Sequence, residues 1–160
     1  ANLKSAKLRK ADLKNAELNN AILTSAKLKD SNLFDAKLVN AKLQKANLEN
    51  SDLKNSNLTK SDLTKASLKR ANLLNANLSG ANLTSANLAF ANLTSANLTS
   101  ANLKNANLTN AKLTGANFNN VDLSNSNLTG LSGSKLSFCP RHFPEGWKCD
   151  EEKILIEIES

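Results

Sequence analysis

The sequence has little of what globular enzymes use to build irregular cores and catalytic sites. Of its 160 residues none is Met or Tyr, one is His, one is Trp, and aromatic residues make up 4%. An interior of almost only Leu and Ala cannot interlock irregularly, so it must stack one packing unit repeatedly. With one His and scattered acids we expect no catalytic residues, no cofactor and no enzyme activity.

Long apolar runs are also missing. No stretch approaches the roughly 18 to 20 apolar residues that a membrane-spanning helix needs, so we expect no membrane span. No signal peptide is recognisable and the chain starts at Ala1, which fits a mature or trimmed form.

Charge is present but unevenly distributed. The net charge is +7, and residues 1–70 hold 15 of the 21 basic residues but only seven of the 14 acids. A basic half suggests an anionic partner such as nucleic acid or a membrane surface. The charge distribution is equally compatible with surface charges that only keep the protein soluble.

A five-residue repeat fills residues 1–130 without a slip. The third position is Leu in all 26 repeats except at Phe118, and the first is Ala in 20 of them. A helix would spiral these Leu residues around its surface, and a straight strand would send them alternately to opposite faces. The period works only if the chain turns once per repeat, which predicts an all-β solenoid with Leu and Ala inside.

The repeat resembles the A(D/N)LXX motif of the pentapeptide-repeat proteins, particularly members of the cyanobacterial and chloroplast-lumen type. The resemblance implies four repeats per coil and a right-handed quadrilateral parallel β-helix, here of about 6.5 coils. It divides the chain into a β-helix at 1–130 and a capping segment at 131–160. We expect the function to be that of a non-enzymatic structural or interaction scaffold, a rigid rod that presents polar faces to a partner, for which we expect a protein.

With twenty residues per coil, two outward surfaces become candidate binding sites. The face that begins at residues 6–10 gathers a predicted basic binding face: Lys7, Arg9, Lys10, Lys27, Lys29, Lys69 and Arg70. On the next face Phe34 and Leu74 fall in one column and form a candidate apolar contact. The alternative for these two is ordinary isolated surface apolar residues.

The basic face raises a second function, that of a nucleic-acid-associated factor. The family's best-known activity is to bind type II topoisomerases by imitating duplex DNA, which requires a negative surface. This rod is positive where it is charged, so direct nucleic-acid binding fits the sign better than mimicry, although stacking aromatic residues are missing.

After Gly130 the motif decays into a predicted cap. Leu131, Leu136 and Phe138 still fall at inward positions, and the last coil needs a cover for its apolar end. The apolar residues available for this cover are Phe138, Phe143, Trp147, Ile154, Leu155 and Ile158. We expect a short helix capped by Asp150, with a strand as the alternative.

Cys139 and Cys149 are the only cysteines. A disulfide between them would hold the cap in place and would indicate an oxidising compartment, with the cytoplasm as the alternative. The family resemblance implies the periplasm or the thylakoid lumen as that compartment. Free thiols, a metal site with His142 completed by Glu145 or Asp150, and a Cys139–His142 nucleophile pair are the other interpretations. We expect the disulfide and no metal.

The N-terminal repeat has no comparable cap. Ala1 is already in register, so the first coil is expected to be open, covered by a removed segment, or paired with a second copy as a homodimer.

Overall fold

A computed structural model describes residues 1–131 and 133–158 of the chain. Within them the repeats form a stack of twenty-residue coils. Parallel bridges join second-position residues twenty apart, from Asn2 with Ile22 to Asn107 with Asn127. The Ile22 amide donates to the Ala1 carbonyl at 2.9 Å, and the Leu3 amide donates to the Ile22 carbonyl at 2.7 Å. Four repeats therefore make one coil, as the resemblance implied.

Each repeat ends in a tight turn that explains the odd period. The Ala6 amide donates to the Leu3 carbonyl at 3.0 Å, and Ser5 between them has a φ of 57°. A positive φ at the third residue of such a turn is the pattern of a type II turn. The fifth residue of every repeat has a positive φ, through Gly130 at 78°. This turn restores the inward direction of Leu in each repeat.

The Asn or Asp at the second position supports the same turn. The Asn57 Oδ1 atom accepts the backbone amide of Thr59 at 3.1 Å and its hydroxyl at 2.6 Å. Asn and Asp are the side chains that bond to the backbone two residues on, which accounts for their frequency in the motif.

First and third positions fill the core along the rod. Leu68, Leu88 and Leu108 stack on successive coils and are each 0% exposed. Where Ser replaces Ala at the first position it stays buried. The Ser31 hydroxyl donates to the Leu28 carbonyl at 2.6 Å, whereas the Ser61 hydroxyl has no hydrogen-bond partner among the described residues. In the first coil the corresponding Leu residues are only partly buried: Leu3, Leu8 and Leu13.

The regular register is interrupted at the start of the cap. Asn117 pairs with Phe138, twenty-one residues on, whereas Asp122 pairs with His142 at the usual twenty. This local bulge turns Phe138 outward, because a one-residue displacement in a strand reverses the side-chain direction. Phe138 is 50% exposed, with the Lys153 Nζ atom 5.0 Å from its ring centroid, so the inward prediction for Phe138 was wrong.

The cap is a hairpin, not the expected helix. Strand β1 (Trp147–Cys149) pairs antiparallel with strand β2 (Leu155–Glu157), and Lys148 lies opposite Ile156. Asp150 does accept a backbone amide, but from Ile154 at 2.8 Å across the hairpin turn.

Unpaired backbone groups at the end of the rod favour this strand. The Gly133 amide donates to the Leu155 carbonyl at 2.8 Å, and the Leu155 amide donates to the Ser134 carbonyl at 2.9 Å. A helix bonds within itself and would leave such edge groups without partners. The expected helix is therefore corrected to a strand over 155–157, and residues 159–160 lie outside the description.

One hairpin side chain, that of Leu155, is fully buried in the core of the rod. Leu155 is 1% exposed and shares the core with Leu131 and Leu136. Phe143 and Trp147 are partly buried against this core, and Ile154 is half-buried. Ile158 is 47% exposed and does not contribute to the cover.

Candidate functional site

Basic side chains from the first three coils surround a cleft of about 580 Å³, which we call the basic cleft. Lys7 and Lys27 occupy one column, joined by a parallel bridge. Arg9 and Lys29 occupy the outward position two residues further along the same repeats. The complete lining is Lys7, Arg9, Ser25, Lys27, Lys29, Lys45 and Asn47.

The basic cleft gathers part of the basic face expected from the sequence. Lys10, Lys69 and Arg70 do not line it. Arg70 instead lies with its guanidinium 5.5 Å from the Phe90 ring centroid. The sequence did not predict Ser25 and Lys45 as part of this surface. Both residues belong to the corner of the preceding repeat, whereas the prediction assigned each repeat to one flat face.

Two cations of the basic cleft already have carboxylate partners. Arg9 pairs with Asp30 and Lys29 pairs with Glu49, each at 3.3 Å. Hydrogen bonds from Lys29 and then from Ser67 lower the pKa of Glu49 below its usual value. Both contacts favour the ionised carboxylate, so Glu49 provides a negative charge opposite the Lys29 ammonium group at neutral pH.

The Asp30 carboxylate is held ionised in a similar way. The side-chain amide of Asn50 is the largest influence that lowers the pKa of Asp30, and Arg9 adds to it. Within residues 1–131 and 133–158, Lys7, Lys27 and Lys45 take part in no salt bridge. The basic cleft therefore carries three ammonium groups that form no ion pair in the described part of the chain.

The apolar pair expected on the next face is separated by a lysine. Phe34 and Leu74 lie in one column, and Lys54 occupies the coil between them. The Phe34 ring has the Lys14 Nζ atom 5.3 Å from its centroid and the Lys54 Nζ atom at 5.8 Å. A smaller cavity of about 340 Å³ adjoins this ring but is not lined by Leu74. Cations on both sides of the ring make this surface amphipathic rather than a continuous apolar patch.

The two cysteines are joined as a disulfide, with their Cα atoms 6.1 Å apart. Both sulfur atoms are thus used, which leaves neither a thiolate nucleophile nor a sulfur ligand beside His142 in this state. In the described part of the chain, no three His, Cys, Asp or Glu side chains are grouped so as to hold a metal ion.

None of the described segments forms a helix with the length and apolar character that crossing a bilayer demands.

The repeats match models of a known protein family. A model described as "Pentapeptide repeat region" matches residues 1–78, and one described as "Pentapeptide repeats" matches residues 61–99 and 91–130. No curated protein matches the sequence.

Several solved structures are similar to the chain. HetL, a pentapeptide repeat protein involved in heterocyst differentiation regulation in the cyanobacterium Nostoc sp. strain PCC 7120, is 29% identical. The match covers 91% of this chain and 75% of HetL, with a TM-score of 0.50. Rfr23 from the cyanobacterium Cyanothece 51142 is 38% identical over 66% of this chain and 63% of its own, with a TM-score of 0.47.

A plant protein is also similar. A pentapeptide repeat protein of the Arabidopsis thaliana thylakoid lumen is 33% identical over 70% of this chain and 68% of its own, with a TM-score of 0.26. The family models together match residues 1–130, the same residues that form the stacked coils. The chain therefore belongs to the pentapeptide repeat family, whose fold is a right-handed quadrilateral β-helix.

Proposed function

We propose that this protein is a non-enzymatic interaction scaffold, a rod of about 6.5 coils that presents its polar faces to a protein partner. The observation that carries the proposal is the continuous core. Leu residues such as Leu48 and Leu98 are 0–1% exposed, so the interior is filled and the chemistry of the chain lies on the outside of the coils. A filled solenoid offers an extended surface for recognition.

The similarity to HetL supports a role in regulation through binding. HetL is described as involved in the regulation of heterocyst differentiation.

The disulfide supports a placement in an oxidising compartment. Cys139 and Cys149 are bonded in the structure, and such bonds persist in the periplasm or the thylakoid lumen and are rare in a reducing cytoplasm. We propose periplasm or lumen, and a thiol-trapping measurement on protein taken directly from cells tests it. Two trapped thiols per chain would place the protein in the cytoplasm instead.

The scaffold proposal is tested by isolating a complex. The full chain, immobilised through its C-terminus, is used to capture proteins from its own compartment, and each captured protein is then purified and mixed with the rod. We expect a saturable complex of fixed stoichiometry in sedimentation. A rod that forms no such complex, or that converts a small molecule with turnover, contradicts the proposal.

Nucleic-acid binding is the second candidate, and the cluster of Lys7, Arg9, Lys27 and Lys29 favours it. Gel shifts with duplex DNA across a salt series test it, because binding that neutralises phosphates weakens steeply with salt. We expect no shift at about 50 mM salt if the rod recognises proteins. A shift that disappears with rising salt would favour this second function.

A homodimer through the N-terminal end stays a prediction. The partly buried Leu3, Leu8 and Leu13 would supply the contact, and a sedimentation experiment over a range of protein concentrations measures it. A monomer at all concentrations contradicts it.

A further inference from the structure

Lys7 and Lys27 lie one above the other on neighbouring coils. A parallel bridge joins them, so their side chains leave the same column about 4.8 Å apart. Two other described bridges between coils join charged side chains, and both join opposite charges: Glu17 with Lys37, and Lys42 with Asp62. Like charges directly opposite each other are unfavourable, and Lys7–Lys27 is the one described second-position bridge that joins two like charges.

Neighbouring carboxylates do not relieve this repulsion. Asp30 is bonded to Arg9, and Glu49 is bonded to Lys29. Lys45, at the corner between two faces, lines the same cleft and has no ion pair among the described residues. Three lysines that line one cleft thus have no carboxylate partner among the described residues.

The basic cleft has the size and lining of a small-ligand site. Its volume of about 580 Å³ lies within the roughly 300–1,000 Å³ typical of such sites. Lys and Arg side chains contribute apolar stems as well as charged heads to the lining. Ser25 and Asn47 add a hydroxyl and a side-chain amide, which are neutral hydrogen-bond donors.

We propose that the basic cleft binds a small ligand that carries phosphate groups. Phosphate oxygens accept charge-assisted hydrogen bonds from ammonium groups, and two or more negative charges match the unpaired Lys7, Lys27 and Lys45. The lining holds no aromatic side chain on which a base could stack, so the phosphates are recognised and the group attached to them is not.

The extent of the basic cleft favours a small ligand over duplex DNA. Its cations come from three successive coils, a distance of about 10 Å along the rod. Lys69 and Arg70, which would extend a track for a duplex, lie outside the lining. The site goes beyond the scaffold function and does not depend on it.

Calorimetric titration of the full chain at constant ionic strength tests the proposal. The probes are inorganic pyrophosphate, inorganic orthophosphate, a nucleoside diphosphate and a short DNA duplex. We compare the wild type with the double variant K7Q/K27Q and with a control, K60Q/K112Q, which removes the same charge from lysines outside the cleft. A thermal melt of each variant confirms that it is folded.

We expect wild type and control to bind pyrophosphate and the nucleoside diphosphate with similar affinity, and K7Q/K27Q to bind at least about ten-fold more weakly. Glu49→Gln frees Lys29 and should tighten binding roughly two- to five-fold. Equal weakening in both double variants would show only net-charge attraction and would overturn the proposal.

Two further outcomes would overturn it as well. One is a wild type that binds none of the phosphate probes, and the other is a wild type that binds the duplex alone, which would support the nucleic-acid function. Either result leaves the protein scaffold standing, because that function is measured by its own complex.

Discussion

Cys149 lies directly opposite Leu155 in the hairpin that closes the rod. Cys149 is bonded to Cys139, and Leu155 is the hairpin residue that is buried in the core at 1% exposure. One cross-strand pair thus connects the covalent link to the apolar anchor of the cap. The cap is held in place by both, at the point where the repeat pattern no longer fixes the register.

Reduction of the disulfide is expected to loosen the cap and leave the coils folded. The bond closes a segment with a sequence separation of 10, and its loss should lower the stability of the cap by about 2–3 kcal/mol. Amide exchange should become faster at Leu136 and Leu155 and stay slow at Leu88. The variant C139S/C149S should not respond to reductant, and unchanged exchange at Leu155 in the reduced wild type would contradict the linkage.

Replacement of Leu88 is expected to show that the third position carries the stability of the rod. Leu88 is 0% exposed between Leu68 and Leu108, so Leu88→Ala should lower the free energy of unfolding by about 3 kcal/mol. Leu88→Asp buries an unpaired charge and should abolish cooperative melting. The control Ser85→Asp, at an exposed corner of the same coil, should melt like the wild type. Near-wild-type melting of Leu88→Asp would contradict the inward position.

The positive φ at the fifth position is expected to select against β-branched residues. Asn105 has a φ of 58° and is exposed. Asn105→Val should lower the stability by about 1–2 kcal/mol, because a β-branched residue is strained in this region. Asn105→Gly, which adopts the same φ without strain, should be close to neutral, and chemical denaturation measures both. Equal effects of Val and Gly would show that the turn conformation is not what the fifth position requires.

The charge on Asp122 is expected to stabilise the last regular coils at moderate pH. Hydrogen bonds from the Ser124 hydroxyl and amide, with Lys104 further away, lower the pKa of Asp122 to about 2. The folded-state pKa lies below the unfolded one, so the stabilisation is present above about pH 4 and is lost as the pH falls towards 2.

Solvent limits the size of this effect. Asp122 has 30% of its side chain exposed, so we expect a contribution of about 1 kcal/mol. Asp122→Asn keeps an oxygen acceptor for Ser124 but cannot ionise, and its stability should change less between pH 4 and pH 2. Parallel pH profiles of the two proteins by denaturation would contradict the assignment.

The sequence by itself determined the rod. Its period of five excludes a helix and a straight strand, so a turn in every repeat and an interior of Leu and Ala follow from the spacing alone. Leu48 at the third position and Ala46 at the first are buried accordingly. The reason is that each repeat meets the same neighbours, so local spacing and tertiary environment coincide.

Only the tertiary structure decided the cap and the basic cleft. Ile154 and Leu155 fit a helix or a strand equally well, and the strand formed because the coil end offered backbone groups at Gly133 and Ser134 that only an extended segment could bond. Lys45 joined Lys7 and Lys27 because a corner places residues of two repeats around one cleft. Both features depend on groups far apart in the chain. The repeat predicted that Lys7 and Lys27 share a face, but it did not predict the corner contribution of Lys45 or the backbone partners of the hairpin.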